Sequence, residues 1–394
     1  MNKDILNTGV QDFINSKIYT DIMSVLLKKS PFPSISPKEL AEQIQAKEKC
    51  EKKLPTWFNT EKIYYPNKLN IEQCSSETTA EYKAQIVDGK SLVDMTGGFG
   101  VDTYFFCKKI DAVFHCEINE KLSEIVAYNF KILGLNNVHT TPMDGMEFLN
   151  GSDQEFDWIF IDPSRRSESK GKVFLLSDCS PNVVEQLPLL FKKSDHILIK
   201  TSPLLDISIG LNQLSNVKEI HVVAIKNEVK ELLWVLEKDY ESDVKIKTIN
   251  FTQPKIQTFE FNLLEEKNAL ASLGLPLSYL YEPNAAILKA GAFKQIAKFF
   301  KIDKLGDHSH LYTSVNLIEF PGRTFRIEQV MGYSKKELKP YLGTKANITT
   351  RNFPDNVAKI RKKYRIHDGG EVYLFFTRLI NNKLVVIRTT KVTE

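Results

Sequence analysis

Cysteine is scarce in this 394-residue chain, which has five: Cys50, Cys74, Cys107, Cys116 and Cys179, widely spaced and without a CxxC pair. An odd, scattered set excludes a disulfide framework and argues against a structural zinc site. The seven histidines are scattered too, and the one close pair, His308 and His310, sits in a polar DHSH stretch. No metal is therefore expected. Long apolar runs are also missing. None approaches the roughly 18 residues of a membrane span, and the N-terminal MNKDILNTGVQDFINSKIYTD places Asp4 early and builds no signal-peptide core. Repeats and low-complexity tracts are absent. Together these absences make a cytoplasmic protein with no membrane partner the expectation. The chain is 42% hydrophobic and 10% aromatic, enough to bury surface that offsets the entropy of ordering, so disorder does not describe it as a whole. Single cores stop growing near about 250 to 300 residues, which predicts two or three domains.

Net charge says little until it is divided along the chain. The total is +4, but from Gly322 to the end there are 16 Lys+Arg against 6 Asp+Glu, a net of +10, which leaves −6 for the remainder. A basic terminal module suits a polyanionic partner; it equally suits a surface kept basic for solubility.

The first segment has helical periodicity in Ile5, Phe13, Ile14, Ile18, Ile22, Val25 and Leu26. A second helix is predicted to begin at Ser36-Pro37-Lys38-Glu39, which offers an N-cap, a first-turn Pro and a capping-box Glu, and to stop before Pro55. After the short helix in CSSETTAEYKAQIV, the runs SLVDMTG, AVFHCEI, NVHTTPMD, FDWIFIDP and HILIKTSP alternate with helical patterns or long loops. That alternation predicts an α/β, doubly wound parallel sheet. EIHVVAIK and ELLWVLEK are separated by NEV alone, too short for a crossover, and are expected as a hairpin at one edge. Beyond Asp239, VKIKTINF, TFEFNLL, SYLYEP and the helical NAAILKAGAFKQIAKFF suggest a small α+β unit to about Phe320. The basic tail continues as strand, capped helix at Ser334 and Glu337, strand, the helix PDNVAKIRKKY, and a hairpin turning at two Asn residues.

The strongest chemistry lies in VDMTGGFGVDTYFF. A strand ends in Asp94, and a turn with Gly97, Gly98 and Gly100 leads into a helix. Glycines there allow a ligand to approach the backbone, but the third dinucleotide-fingerprint position is Thr103, so GxGxxG fails. Asp94 would also repel a pyrophosphate, whereas S-adenosylmethionine presents an ammonium and a sulfonium. Glu117 falls near the end of the next strand, placed to accept from two ribose hydroxyls, and Asp144 follows the third strand, placed to accept from an adenine amine. Singly, each acid suits a solvated loop or a helix cap equally well.

DMTGGFGVD, HCEIN, MDG and IDPSRR, with the terminal hairpin, resemble a class I S-adenosylmethionine-dependent methyltransferase over about residues 70 to 240. The whole chain is similar to a bacterial group that joins a Rossmann-like catalytic domain to a ferredoxin-like insert and a C-terminal THUMP-like domain. LPTW, LNIEQCSSETTAEYKA, YEPNAAILKAGAF and RNFPDNVAKIRKKYRIHDGGEVYLFFTR carry that similarity. The resemblance implies an N-terminal helical region over 1–62, a methyltransferase domain over 63–240, a ferredoxin-like α+β domain over 241–321 and a THUMP-like basic domain over 322–394. It further implies that Asp94, Thr96, Gly97, Gly98 and Gly100 hold the methionine moiety of S-adenosyl-L-methionine, Glu117 the ribose and Asp144 the adenine. Gln73, Ser75 and Thr78 would close over the methionine end, although helix capping explains the Ser and Thr as well.

The methyl acceptor is expected beside Asp162-Pro163-Ser164-Arg165. In amino-methylating relatives the motif is (Asp/Asn)-Pro-Pro-(Tyr/Phe), in which the acid and a Pro carbonyl accept from the target amine. Asp162 and Pro163 are retained, while Ser164 and Arg165 replace the second Pro and the aromatic, so a stacking partner must come from elsewhere. Arg165 and Arg166 are candidates for a phosphate or base edge. The 5-methyluridine enzymes need a nucleophilic Cys after the fifth strand, where this chain has Lys200-Thr201-Ser202-Pro203. Cys179 is expected to be a buried small side chain. In the tail, Lys359, Arg361, Lys362, Lys363 and Arg365 fall within about two helical turns and can neutralise phosphates; cations at a helix C-terminus are the competing reading. Tyr333, Tyr341, Tyr364 and Tyr373 are either core residues or stacking platforms for unpaired bases. The expected function is a methyltransferase acting on a base nitrogen of tRNA or rRNA. The alternatives are a protein or small-molecule acceptor, or an RNA-binding protein without catalysis.

Overall fold

A computed structural model describes residues 1–165 and 175–392, without the side chain of Arg165. It divides into two compact bodies, residues 1–217 with 234–240 and residues 218–233 with 241–394.

In the first body, Ser36 caps the helix Pro37–Lys53 through a complete capping box with Glu39. The apolar faces of this helix and of Thr8–Lys17 meet in a cluster that includes Ile5, Val10, Ile14, Leu40 and Ile44. The strands β1 (Ser91–Asp94), β2 (Ala112–Cys116), β3 (Val138–Thr141) and β4 (Trp158–Ile161) follow. Two short antiparallel strands, β5 (Ser164–Arg165) and β6 (Cys179–Ser180), precede β7 (His196–Thr201). The long strands run parallel in the order β7-β4-β1-β2-β3. Chain order therefore reverses between β1 and β4, and the crevice beyond their C-terminal ends is where open α/β sheets bind ligands. Trp158, Ile159, Phe160 and Ile161 are all buried, as expected of a central strand covered by helices on both faces.

A hairpin of β8 (Val217–Ile225) and β9 (Glu228–Glu237) passes from one body to the other. Within the first body, the β9 residue Trp234 donates its indole N–H to Thr201 Oγ1 at 3.0 Å, fixing the end of β7.

In the second body, β10 (Lys245–Phe251) pairs parallel with β8, from Lys245 opposite Glu219 to Phe251 opposite Ile225, and β11 (Gln257–Asn262) pairs antiparallel with β10. The hairpin is therefore not an edge, which corrects the sequence expectation. A nine-residue β8 offers a row of backbone donors and acceptors, and β10 satisfies it. A second sheet contains β12 (Tyr279–Pro283), β13 (Asp303–Lys304), β14 (Tyr312–Ser314), β15 (Gly322–Gly332), β16 (Asn347–Arg351), β17 (Val372–Arg378) and β18 (Leu384–Lys391). Its order is β13-β14-β12-β15-β18-β17-β16. The segment expected as one helix, NAAILKAGAFKQIAKFF, is two, Ala285–Ala290 and Gln295–Phe300, because Gly291 ends the first in a left-handed conformation at φ +77°.

One buried ion pair holds the approach to the parallel sheet. Lys83, in the helix Glu77–Ala84, has no solvent exposure; its ammonium lies 3.1 Å from Asp102 Oδ1 and donates to Ser75 Oγ at 3.1 Å. Ser75 in turn donates to Asp102 Oδ2 at 2.7 Å. Lys83→Met is expected to destabilise the chain by about 3–5 kcal/mol in urea unfolding, because it leaves the Asp102 charge uncompensated.

Candidate active site

The site is built on the turn after β1. Asp94 is 1% exposed, and its carboxylate accepts from Thr96 N–H at 3.1 Å and from Thr103 Oγ1 at 2.6 Å. Burial pushes this carboxyl up to about 7; the charges of Asp102 and Asp162 add to the rise, and the two hydrogen bonds oppose it. Two of the three turn glycines serve different structural needs. Gly100 takes φ +77° at the start of the helix Val101–Phe106. Gly97 lies against the buried His115 ring, and an added Cβ would come within 2.2 Å of its Nε2. Gly97→Ala is expected to lower stability by about 1–3 kcal/mol, measured by chemical denaturation, since the packed ring has to shift.

Gly98 donates its backbone N–H to Glu117 Oε2 at 3.0 Å, and Asn119 N–H donates to Glu117 Oε1 at 2.7 Å. Each oxygen of Glu117 keeps acceptor capacity for a further donor, as a ribose diol requires. Asp144 caps the helix Gly145–Gly151 through Oδ1, accepting from Met146 N–H at 2.8 Å and Glu147 N–H at 3.3 Å. The capping reading of this residue is thus real, and Oδ2 has no hydrogen bond among the described residues. Thr96 Oγ1 accepts from Asp162 N–H at 2.7 Å, tying the turn after β1 to the end of β4. Asp162 is partly exposed and forms an ion pair with Lys200 at the end of β7, and Pro163 beside it is buried.

Asp94, Thr96 and Asp162 are thus joined by one set of hydrogen bonds, and Gly98 and Glu117 by a second on the same turn. Gln73 and Thr78 are part of neither: both are exposed and make no hydrogen bond among the described residues. Ser75 is the one tied to the sheet's first helix, through Asp102. Arg166 and the side chain of Arg165 lie outside the described residues. Cys179 is buried. In the tail helix Val357–Tyr364, Lys359 pairs with Asp355 at 2.6 Å, Arg361 pairs with Asp368, and Lys363 donates to Tyr333 Oη at 2.9 Å. Lys362 and the C-cap Arg365 are exposed and have no such partner among the described residues.

Three functional groups were not singled out from sequence. Thr103, the residue that breaks the dinucleotide fingerprint, is the hydroxyl that holds Asp94. Lys200 stands in the sequence where the 5-methyluridine enzymes have a thiol, and in the fold it pairs with Asp162. Lys83 is one residue of a polar helix, and nothing local to it in the sequence points to Asp102. Among the described residues, no group of three or more His, Cys, Asp or Glu side chains is placed to hold a metal ion, and no helix is long and apolar enough to cross a membrane.

Comparison with solved structures finds a protein described as "putative methyltransferase from Porphyromonas gingivalis W83", 31% identical over 99% of both chains with a TM-score of 0.89. The chain belongs to this methyltransferase family. Its parallel sheet is Rossmann-like, and family models match a ferredoxin-like domain at residues 279–321 and a THUMP-domain-like region at 322–391. An rRNA methylase from Streptococcus thermophilus is 14% identical, with 41% of this chain and 94% of that one covered and a TM-score of 0.30. TrmK of M. capricolum in complex with S-adenosyl-homocysteine is 17% identical, with 42% and 70% covered and a TM-score of 0.34. Comparison with curated proteins found no match.

Proposed function

We propose that the chain is a cytoplasmic S-adenosylmethionine-dependent methyltransferase acting on a base nitrogen of tRNA or rRNA. The observation that carries this reading is the hydrogen bond from Asp162 N–H to Thr96 Oγ1, which holds Asp162 beside the turn that begins at the buried Asp94. The donor set fits the cofactor. Asp94 is a buried acid without a cation among the described residues, and Glu117 and Asp144 offer acceptor oxygens in the order an amino acid, a diol and an adenine amine need. When bound, S-adenosylmethionine supplies a methyl group already activated by its sulfonium.

The chain's own residues supply position. Asp94 and the Thr96–Gly98 turn hold the amino-acid end, and Glu117 accepts from the ribose. Asp162 accepts from the N–H of the target base and aligns its nitrogen, while Lys200 holds the Asp162 carboxylate. Holding two reactants in line accounts for most of the acceleration such a reaction needs. Gln73 and Thr78, both exposed in the free chain, close over the methionine end when the cofactor binds, and Arg165 with Arg166 receives the target's phosphate or base edge. The four parts are a helical region over 1–62, the catalytic domain over 63–240, a ferredoxin-like domain over 241–321 and a THUMP-like domain over 322–394. In the last, Lys359, Arg361, Lys362, Lys363 and Arg365 form the basic face toward RNA, with Lys362 and Arg365 the pair most open to phosphate.

The test is transfer of a tritiated methyl group from the cofactor to total bacterial RNA, total protein and small-molecule extract. Label in RNA supports the reading, and label confined to either other fraction overturns the substrate class. Replacing Lys362 and Arg365 by Gln is expected to lower the slope of log affinity against log salt by about one for each residue.

A further inference from the structure

The second body carries a cleft of about 460 Å³ on the face of its second sheet that also carries the apolar cluster of Leu338, Leu374 and Val386, into which the basic helix sends Ile360 and Tyr364. Gln329 of β15, Arg388 of β18 and Val372 of β17 form its floor. Gln329 stands opposite Arg388 across one ladder, and Arg388 stands opposite Leu374 across the next. Tyr341, Lys336 and Glu337, from the helix Lys335–Leu338 and the single turn Lys339–Tyr341 after it, form the wall.

The floor has an unusual composition for its place. Side chains two apart on a strand share a face, so Arg388 continues the row that Val386 begins. Val386 is fully buried in the apolar cluster with Met331, Leu338, Leu374 and Phe376. Where an apolar residue would have extended that core, a guanidinium stands half-buried with no hydrogen bond or ion pair to any described residue. Lys336 is exposed and likewise unpaired among the described residues. The half-buried Tyr341, packed against the apolar cluster, lines the same cleft.

We infer that this cleft binds one unpaired nucleotide of a single-stranded RNA segment, with the base on Tyr341 and the flanking phosphates on Arg388 and Lys336. The inference rests on the RNA reading of the substrate. The chemistry favours a nucleotide over an acidic peptide. An aromatic platform beside a guanidinium suits a flat ring carrying phosphate, and the Gln329 amide offers both a donor and an acceptor to a base edge. A volume of about 460 Å³ lies in the range of small-molecule sites and accepts a base only when it is not paired.

The test is fluorescence anisotropy of the full chain with a labelled single-stranded RNA heptamer, a blunt RNA duplex and an oligoglutamate peptide. Wild-type protein is expected to prefer the single strand. Tyr341→Leu and Arg388→Gln should each weaken that binding about tenfold without changing duplex binding, and Tyr341→Phe, which keeps the ring and its packing, should restore it. Variants that bind the single strand as the wild type does would overturn the inference, as would equal capture of oligoglutamate. If the heptamer does not bind while total RNA is still methylated, the cleft assignment fails alone. If neither occurs, the RNA reading fails with it.

Discussion

Asp94→Ala is expected to lower the affinity for S-adenosylmethionine at least a hundredfold in isothermal titration calorimetry at neutral pH. The side chain is 1% exposed and already accepts from Thr96 N–H and Thr103 Oγ1. A cationic ligand group placed against it forms a charge-assisted contact away from water, where removing one partner costs about 3–5 kcal/mol. The same residue sets a pH dependence. In the free chain its carboxyl is pushed up to about 7, chiefly by burial. The unfolded chain gives up this proton at lower pH, so the residue's contribution to stability falls as pH rises from the ordinary carboxylate range to about 7. A cationic ligand favours the ionised form, so binding below about pH 7 releases a proton. Affinity should therefore rise with pH between about 5.5 and 7, approaching tenfold per pH unit at the acid end, and then level off. Asp94→Asn, which keeps the shape and loses the charge, should bind weakly and show no such rise.

The second large effect is expected at the acceptor side. Asp162→Ala should lower the rate of methyl transfer by about 10²- to 10⁴-fold, the range for loss of a positioned proton acceptor, while cofactor affinity changes by less than about threefold. That separation follows from the geometry: the backbone N–H of residue 162, not its side chain, reaches Thr96. Lys200→Met removes the partner of the Asp162 carboxylate and should lower the rate by about ten- to hundredfold, with cofactor binding again retained. Single-turnover rates beside calorimetric affinities distinguish these effects from a loss of folded protein.

The elements themselves were largely legible in the sequence, because their signals are local. Ser36, Pro37 and Glu39 announce a helix start and form one. The runs that become β1 to β4 and β7 are short, apolar and bounded by turns, and the acids at their ends are where a doubly wound sheet puts its crevice. Pairing between distant segments was less legible. Nothing in VKIKTINF states that its partner is β8, since alternation gives a strand its faces but not its neighbours. The helix break at Gly291 was missed because apolar periodicity runs on through it, and the backbone conformation outweighs that pattern. Lys83 and Lys200 went unread for a related reason. An ammonium becomes structural only when burial or a carboxylate from another element encloses it, and both Asp102 and Asp162 come from other segments. Thr103 was visible, but as a failed glycine; the requirement of a buried Asp94 for a hydroxyl donor is the physical signal that identifies it.

The central claim is that Asp162 orients a base nitrogen for a methyl group delivered beside Asp94. Mass spectrometry of nucleosides from RNA treated with the cofactor and either wild-type or Asp162→Ala protein tests it most directly. The account predicts a nucleoside heavier by one methyl on a base nitrogen with the wild type and its near absence with the variant. Equal methylation by both proteins, or methyl groups confined to carbon or ribose oxygen, would contradict it.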